Sequence, residues 1–143
     1  MLYEEPTTTG QRFLNYIIDR FLFYLIFLFV GGFLGFASVF TGGDPEELST
    51  AIDDNVSPLL DLLITTLLLV LYYTFFETVT KGKTIGKMIT GTRAVKEDGS
   101  NITPREALLR SLCRIVPFEP FSAFGGYPWH DKWTGTKVIK ERR

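Results

Sequence analysis

The chain has 143 residues, of which 45% are hydrophobic, and a formal net charge of −1 at pH 7. This length leaves room for one domain, residues 1–143, and the balanced charge gives no reason to expect a nucleic-acid partner. The single cysteine, Cys113, excludes an internal disulfide, and its apolar surroundings predict a small buried or lipid-facing side chain.

A first hydrophobic helix is predicted over about residues 13–38. Residues 21–40 carry no charge, and about 20 apolar residues are enough to cross a bilayer core. The run exceeds the roughly 7–15 apolar residues of a cleavable signal sequence, so we expect it to be retained. Gly31 and Gly35 form a G-x-x-x-G pair, which either brings helices close together or loosens the outer end of the span.

Three charged residues, Arg12, Asp19 and Arg20, stand at the head of this apolar run. Arg12 and Asp19 share one helix face, whereas Arg20 points about 100° away from Asp19. If the span begins at residue 21, all three charges lie among lipid headgroups. If it begins near residue 13, Asp19 lies about 9 Å inside the bilayer, at a cost below the roughly 2.5–3.5 kcal/mol of an unpaired central charge. Arg12, Arg20 or the second span would offset that cost.

A second span is predicted over residues 58–80, after an acidic loop at residues 41–57. Ser57 is a candidate helix cap, and Pro58 suits the first helical position. The alternative, a soluble protein with two buried helices, needs far more polar chain to cover them. The sequence therefore favours two membrane spans.

The second span carries acidic residues near both of its ends. Its uncharged stretch, residues 62–76, is only about 22 Å long as a helix, so Asp61, Glu77 or both must lie at the margin of a ~30 Å core. Two antiparallel spans bring Glu77 to the level of the first helix start, where Arg12 or Arg20 could donate to it.

The charges of the chain are distributed unevenly. Two basic and ten acidic residues precede residue 81, whereas thirteen basic and six acidic residues lie within residues 81–143. The loop 41–57 has five acidic residues and no Lys or Arg. By the positive-inside rule we expect this loop outside the cell and both termini in the cytoplasm, with residues 81–143 as a basic cytoplasmic region.

The motif KGKTIGKM resembles a phosphate-binding loop only superficially. The phosphate-loop pattern requires glycine where Lys81 stands and serine or threonine where Met88 stands, and no strand precedes it. We therefore expect Lys81, Lys83 and Lys87 to contact anionic lipid headgroups, each contributing about 1 kcal/mol near the surface.

The rest of the basic region predicts a β-hairpin and an amphipathic helix. Asp98 and Gly99 are a strong tight-turn signal. Residues 104–116 place apolar side chains on one helix arc and Arg110 and Arg114 on the other, which is typical of a helix in the lipid interface with both arginines at the headgroups. The alternative is a helix packed on the hairpin with its basic face in water. The expected fold class is an all-α membrane protein: a two-span transmembrane helical hairpin, an interfacial helix and a small β-hairpin.

His130 is the only histidine, so we expect neither a zinc site nor another cofactor. No nucleophile, base and acid combine into an enzyme site, and the chain is not expected to be an enzyme. His130 is expected to orient a backbone or carboxylate partner next to Asp131. A role in proton handling stays open, because the ordinary pKa of histidine lies near physiological pH.

Three separated motifs resemble the RDD family of bacterial membrane proteins, over nearly the whole chain. Arg12 and Asp19 match the arginine and aspartate of the family's first helix, and WHDKWTGTKVI matches a C-terminal element that contains the second aspartate, Asp131. Between them, FFETVTKGKTIGKMITGTRAV matches the link after the second span. The matching positions in this link are Glu77, Thr84, Gly86, Lys87 and Gly91. The resemblance implies a protein of the bacterial inner membrane, and cation–proton exchange has been proposed for some members.

Two functions follow from these patterns. The first is an oligomeric transporter of a monovalent cation or proton, because ionisable residues in spans mark such routes and two helices cannot enclose one. Its candidate residues are Arg12, Asp19, Arg20, Asp61, Glu77, His130 and Asp131. The second is a membrane scaffold that binds lipid or a protein partner and whose arginine–aspartate cluster is structural. A lipid-modifying enzyme is a distant third, since no catalytic set is present.

Overall fold

The computed structural model describes residues 5–141 and consists of two long helices and a smaller mixed domain. We call residues 81–141 the terminal domain. The elements in chain order are α1 (Thr9–Phe40), α2 (Pro45–Asn55), α3 (Pro58–Val79), α4 (Ile85–Thr90), β1 (Thr92–Lys96), α5 (Pro104–Cys113), α6 (Glu119–Ser122), a 3-10 turn (Ala123–Gly125), α7 (Trp129–Thr134) and β2 (Thr136–Lys140).

The two long helices have the length and composition of membrane spans. α1 begins with a capping box between Thr8 and Gln11, and α3 is capped by Ser57 with Pro58 at its first position, as the sequence predicts. The 32 residues of α1 measure about 48 Å, more than a ~30 Å bilayer core. One end of α1 must therefore extend beyond the core, and its first turns are the part that packs against the terminal domain.

Contact between α1 and α3 is concentrated near the terminal domain. Phe23 of α1 and Leu69 and Tyr73 of α3 form a buried apolar cluster, and the Tyr72 ring lies 5.9 Å from that of Phe23. Elsewhere along both helices most leucine, isoleucine and phenylalanine side chains are exposed. An apolar surface of this kind suits contact with lipid or with another membrane helix.

The acidic segment between the two spans differs from the prediction. It was expected to be a loop, but residues 45–55 form α2, with Asp44 as its cap and Pro45 at the first position. Glu46 and Glu47 in the first turn favour this helix because they face its positive dipole end. The sequence signals at the start of α2 are those of a helix N-terminus, and its residues are exposed.

The small antiparallel sheet is present, but its strands are not neighbours in sequence. The turn at Asp98 and Gly99 forms, with the Gly99 N–H bonded to the Lys96 carbonyl at 2.9 Å. Only an isolated bridge follows it, between Val95 and Asn101, because Pro104 opens α5 soon afterwards. β1 pairs instead with β2, and the local hairpin prediction is wrong about the partner strand.

The N-terminal segment joins the free edge of β2. Lys140 N–H donates to the Glu5 carbonyl at 3.0 Å, and Thr7 N–H donates to the Val138 carbonyl at 3.3 Å. The two ends of the described chain therefore lie together, at the same end of the two long helices. Behind the sheet, the terminal domain has a small buried core formed by Ala94, Ile102, Ala107 and Val138.

Two glycines allow the terminal domain to approach the spans. Gly82 has φ +99°, and a Cβ there would lie 2.1 Å from the Ala94 carbonyl oxygen. A Cβ at Gly86 would lie 2.6 Å from the Asn15 carbonyl oxygen in α1. Glycine at these positions is what lets the chain after α3 turn back and lets α4 lie directly on α1.

Candidate functional site

Glu77, in the last turn of α3, is a fully buried carboxylate that faces three cations. It accepts hydrogen bonds from Lys87 Nζ at 2.7 Å, Arg110 Nε at 3.0 Å and Arg114 Nη2 at 2.9 Å. Lys87 comes from α4, Arg110 from the last turn of α5, and Arg114 is the residue that caps the C-terminus of α5. One carboxylate thus fastens α4 and α5 to the end of α3.

Asp131, in the first turn of α7, is the second carboxylate of this network. It accepts from Arg110 Nη1 and from Arg12 Nη1, each at 2.5 Å. Burial disfavours the charged carboxylate, but Arg110 and Arg12 outweigh burial and hold the pKa of Asp131 far below its usual value. Arg110 therefore bridges Glu77 and Asp131, and Arg12 ties the start of α1 to α7.

Asp19 lies in α1 and is also buried, with 2% of its surface exposed. Its partners are neutral: Thr84 Oγ1 donates at 2.6 Å, the Gly86 backbone N–H at 2.8 Å and the Tyr72 hydroxyl at 3.4 Å. Within residues 5–141, no lysine or arginine forms an ion pair with Asp19. This carboxylate differs in that respect from Glu77 and Asp131.

The cations of the network outnumber its two carboxylates. Lys87, Arg110 and Arg114 lie close together, and burial followed by repulsion from the two arginines lowers the pKa of Lys87 to about 8, against the opposing effect of Glu77. Burial disfavours charge on Arg114 as well, but Glu77 outweighs this and raises the pKa of Arg114. The other two buried carboxylates among the described residues, Asp19 and Glu119, are the nearby groups that can balance this excess of positive charge.

His130 and Glu119 form a further pair beside Asp131. His130 Nδ1 is in hydrogen-bond contact with Glu119 Oε1, and His130 Nε2 lies 3.4 Å from Asp131 Oδ1. Burial, and then the charge of Arg114, lower the pKa of His130 to about 4 despite these acidic neighbours. Burial opposes ionisation of Glu119, but its bond to His130 is part of what holds the Glu119 pKa below its usual value. At neutral pH the pair is an uncharged imidazole and a carboxylate.

A cavity of about 50 Å³, lined by both charged and apolar side chains, lies between the start of α1 and the segment 119–130. Asp19, Lys87, Arg114, Glu119 and His130 all line it. The cavity therefore brings together Asp19, two cations that pair with Glu77, and the Glu119–His130 pair.

The RDD family model matches residues 6–139. The chain belongs to the RDD family. No curated protein and no solved structure matches it. RDD proteins are membrane proteins, so α1 and α3 are two candidate spans of a membrane protein.

The RDD residues that carried the resemblance fall into two separate groups in this structure. Arg12 and Asp131 meet in an ion pair across 119 residues of sequence. Asp19 does not join them and is held by Thr84 and Gly86, which belong to the matching link motif. Of the three predicted sources of an offset for Asp19, Arg12 and Arg20 are therefore wrong, and the second span contributes the Tyr72 hydroxyl at 3.4 Å.

Three basic residues expected at lipid headgroups lie elsewhere in this RDD protein. Lys87 and Arg110 are buried, and Arg114 is largely buried, because all three pair with Glu77. Lys81 is exposed and Lys83 is half-buried, paired with Glu141 at 2.7 Å. Only these two lysines of the predicted set have surface to offer to lipid.

Helix α5 is oriented with its basic face inward and its leucine face outward. Both predictions for this helix, with the arginines at lipid headgroups or in water, are therefore wrong about which face is buried. Arg110 points inward, whereas Leu108, Leu109 and Leu112 are 43%, 42% and 45% exposed. The buried charge of Glu77 accounts for this inversion, since an ion pair out of water needs a close partner. The spacing of apolar and basic residues in the sequence predicts the two faces of α5 but does not indicate which face is buried.

Two more predicted site residues lie outside the cluster. Asp61 is exposed in the first turn of α3, about 24 Å along the helix from Glu77. Arg20 lies over the Tyr16 ring at 5.4 Å and has no ion pair within the described part of the chain. Sequence reasoning missed Glu119 as the partner of His130, and the only available signal was an acidic residue eleven positions before the single histidine.

Proposed function

We propose that this RDD protein is an oligomeric transporter that exchanges a monovalent cation for a proton across the bacterial inner membrane. Asp19 is the group to which the proton or cation binds. The observation that carries the proposal is the burial of Asp19 within the first candidate span with neutral hydrogen-bond donors alone among the residues described.

The surroundings of Asp19 favour exchange at this residue over the other two buried carboxylates. A proton on Glu77 would leave Lys87 and Arg114 without a carboxylate and would break one of the two ion pairs of Arg110. A proton on Asp131 would leave Arg12 unpaired and would break the other ion pair of Arg110. Breaking such pairs costs about 3–5 kcal/mol. Asp19 can lose its charge without breaking an ion pair, and ionisable groups inside spans mark ion and proton routes.

The proposed orientation places the terminal domain in the cytoplasm. Thirteen basic residues follow position 80 and two precede it, which by the positive-inside rule favours a cytoplasmic location for residues 81–143. The backbone bond between Lys140 and Glu5 supports a common side for both ends of the chain. α2 then lies outside the cell.

The proposed oligomer follows from the shape of the two spans. Two helices cannot surround a polar route, and α1 and α3 leave most of their apolar side chains exposed. In the proposal, helices of neighbouring copies complete the wall around the polar route, and lipid covers the remaining apolar surface of α1 and α3. The outward leucines of α5 support placing this helix at the inner lipid interface.

The test is cation-driven proton flux into liposomes that contain the purified protein. We expect Asp19→Asn to abolish the flux, because asparagine binds neither the proton nor the cation in the same way. Asp61→Asn is the matched control, since it removes a carboxylate from the exposed far end of α3 and is expected to retain flux. Wild-type flux in Asp19→Asn would contradict the proposal.

A scaffold is the second candidate, and the ion-pair network favours it. Glu77, Arg110, Asp131 and Arg12 join α1, α3, α5 and α7 without any need for a transported ion. On this proposal the domain presents its surface to lipid or a protein partner. It predicts no flux from the wild-type protein and stoichiometric recovery of one partner, with loss of that partner when Arg12 is replaced.

A further inference from the structure

Arg114, which lines the cavity, has a buried donor that no described residue satisfies. Arg114 Nη1 is shielded from solvent and has no hydrogen-bond partner within residues 5–141, although Arg114 Nη2 bonds to Glu77. A buried N–H without a partner costs about 1–3 kcal/mol, more when the group is charged. Arg114 lines the cavity, so a small shift of its guanidinium would let a molecule in the cavity accept from Nη1 and remove that cost.

The size and lining of the cavity fit water. A water needs roughly 10–15 Å³ of such volume and two to four polar partners, so about 50 Å³ accommodates about three to five waters. Asp19, Glu119 and His130 offer acceptors, while Lys87 and Arg114 offer donors. Cations and carboxylates face the cavity together, which disfavours a lone ion of either sign and favours a molecule that both donates and accepts.

We propose that ordered water in this cavity connects Asp19 to the Glu119–His130 pair, and that this pair is the port through which protons reach and leave Asp19. The inference rests on the proposed function, since it takes Asp19 as the exchanging carboxylate. It adds two residues and a solvent site to that function.

The protons balance along this route. A proton taken from the aqueous side by Glu119 or His130 passes to the adjacent water, and the last water in the chain gives one of its own protons to the Asp19 carboxylate. Each water loses one O–H bond as it forms another, so no further reactant is needed. His130, with 14% of its side chain exposed, is the member of the pair that reaches solvent, and Glu119, at 4%, lies behind it.

Several charges surround the port and set its protonation. His130 faces Glu119 from α6, Asp131 from its own helix α7, Arg110 from α5 and Arg114 from the C-cap of α5. The two arginines disfavour a fixed charge on the imidazole. A proton therefore passes through His130 without being retained there.

The first measurement asks whether the cavity holds water. X-ray radiolysis converts bound water to hydroxyl radicals that label adjacent side chains in the whole protein in bilayer nanodiscs. Tyr73 lines the cavity and is 3% exposed, while Phe23 is 4% exposed, does not line the cavity and packs against the rings of Phe27 and Tyr72. We expect Tyr73 to be labelled several times faster than Phe23. Equal, slow labelling of both would overturn the water site.

The second measurement follows proton uptake by Asp19 without any transport. After a pH jump, infrared spectroscopy detects the carboxylic C=O band that Asp19→Asn removes. We expect Glu119→Gln to slow the appearance of this band about 100-fold, the lower end of the contribution of a positioned proton-transfer group. Glu97→Gln, an exposed control in the β1–α5 turn, is expected to leave the rate unchanged.

A second variant covers the case in which Glu119→Gln fails to fold. Val138 lines the cavity, and Val138→Ile adds a methylene group to its wall without changing any charge. We expect slower uptake by Asp19 here as well. Wild-type rates in Val138→Ile or in a folded Glu119→Gln would overturn the port. Slowed uptake in a protein with no cation-driven flux would uphold the port and reject the transport proposal.

Discussion

Replacing Glu77 with glutamine keeps the shape of the side chain and removes its charge. The carboxylate is fully buried and lies 2.7–3.0 Å from Lys87, Arg110 and Arg114, so the substitution leaves three cations close together out of water. Removing one partner of a buried ion pair costs about 3–5 kcal/mol. Because three pairs break together, we expect about 5 kcal/mol, as much as the whole stability of a marginally stable domain.

The chain offers a local probe for this measurement. Its two tryptophans, Trp129 and Trp133, lie in α7 with their rings 5.6 Å apart, so their fluorescence reports unfolding of the terminal domain. Denaturant titration in lipid nanodiscs should show Glu77→Gln unfolding at far lower denaturant concentration than wild type. Glu97→Gln is the control, because Glu97 is exposed and surface changes usually alter stability by less than about 0.5 kcal/mol.

A double variant tests the cause of the loss. If crowded cations are responsible, removing one of them should recover stability, so Glu77→Gln with Lys87→Met should cost less than the two single changes added together. Equal stability of Glu77→Gln and the Glu97→Gln control would refute the account of Glu77 as the anchor of α4 and α5. Strict additivity in the double variant would refute the role of cation repulsion.

Three further changes test other parts of the structure. Gly86→Ala places a Cβ 2.6 Å from the Asn15 carbonyl oxygen, so we expect α4 to separate from α1 and the thermal midpoint to fall. The His130 pKa is about 4 in the folded protein, below its ordinary value near 6.5, so the unfolded chain binds more protons between these pH values. Stability should fall by up to about 1.4 kcal/mol per pH unit as the pH drops through this window, and His130→Gln should remove that slope in urea titrations. Lys81→Gln should weaken binding of the detergent-solubilised protein to anionic vesicles, measured by co-sedimentation, whereas Lys87→Met should not, because Lys87 is buried.

The sequence was sufficient for the spans and for most helix starts. Long apolar runs leave few alternatives, and Ser57–Pro58 and Thr103–Pro104 start α3 and α5 where local chemistry favours a helix. The missed helix α2 shows that an acidic composition does not by itself indicate a loop. Asp44 and Pro45 were local signals for α2 as strong as those of the other helices.

The partners within the site could not be predicted in the same way. Arg110 and Glu77 are 33 residues apart, and Arg12 and Asp131 are 119 apart, so nothing local pairs them. The orientation of α5 depends on whether its basic face finds a buried carboxylate, which is a property of the packed domain. The same reason explains the sheet: β1 has a strong turn after it, but its partner strand is supplied by the far end of the chain.

The charge count of the cluster leads to a last prediction about the proposed exchange. Arg12, Lys87, Arg110 and Arg114 carry four positive charges. Glu77, Asp131 and Glu119 carry three negative charges, the ionised form of Asp19 adds a fourth, and His130 is neutral at pH 7. A proton or a monovalent cation at Asp19 changes this sum by the same single charge, so each can replace the other without disturbing the ion pairs. We therefore expect the two to compete one for one. Exchange in liposomes should then be independent of an imposed membrane potential, and a flux that rises with the potential would contradict exchange at Asp19 alone.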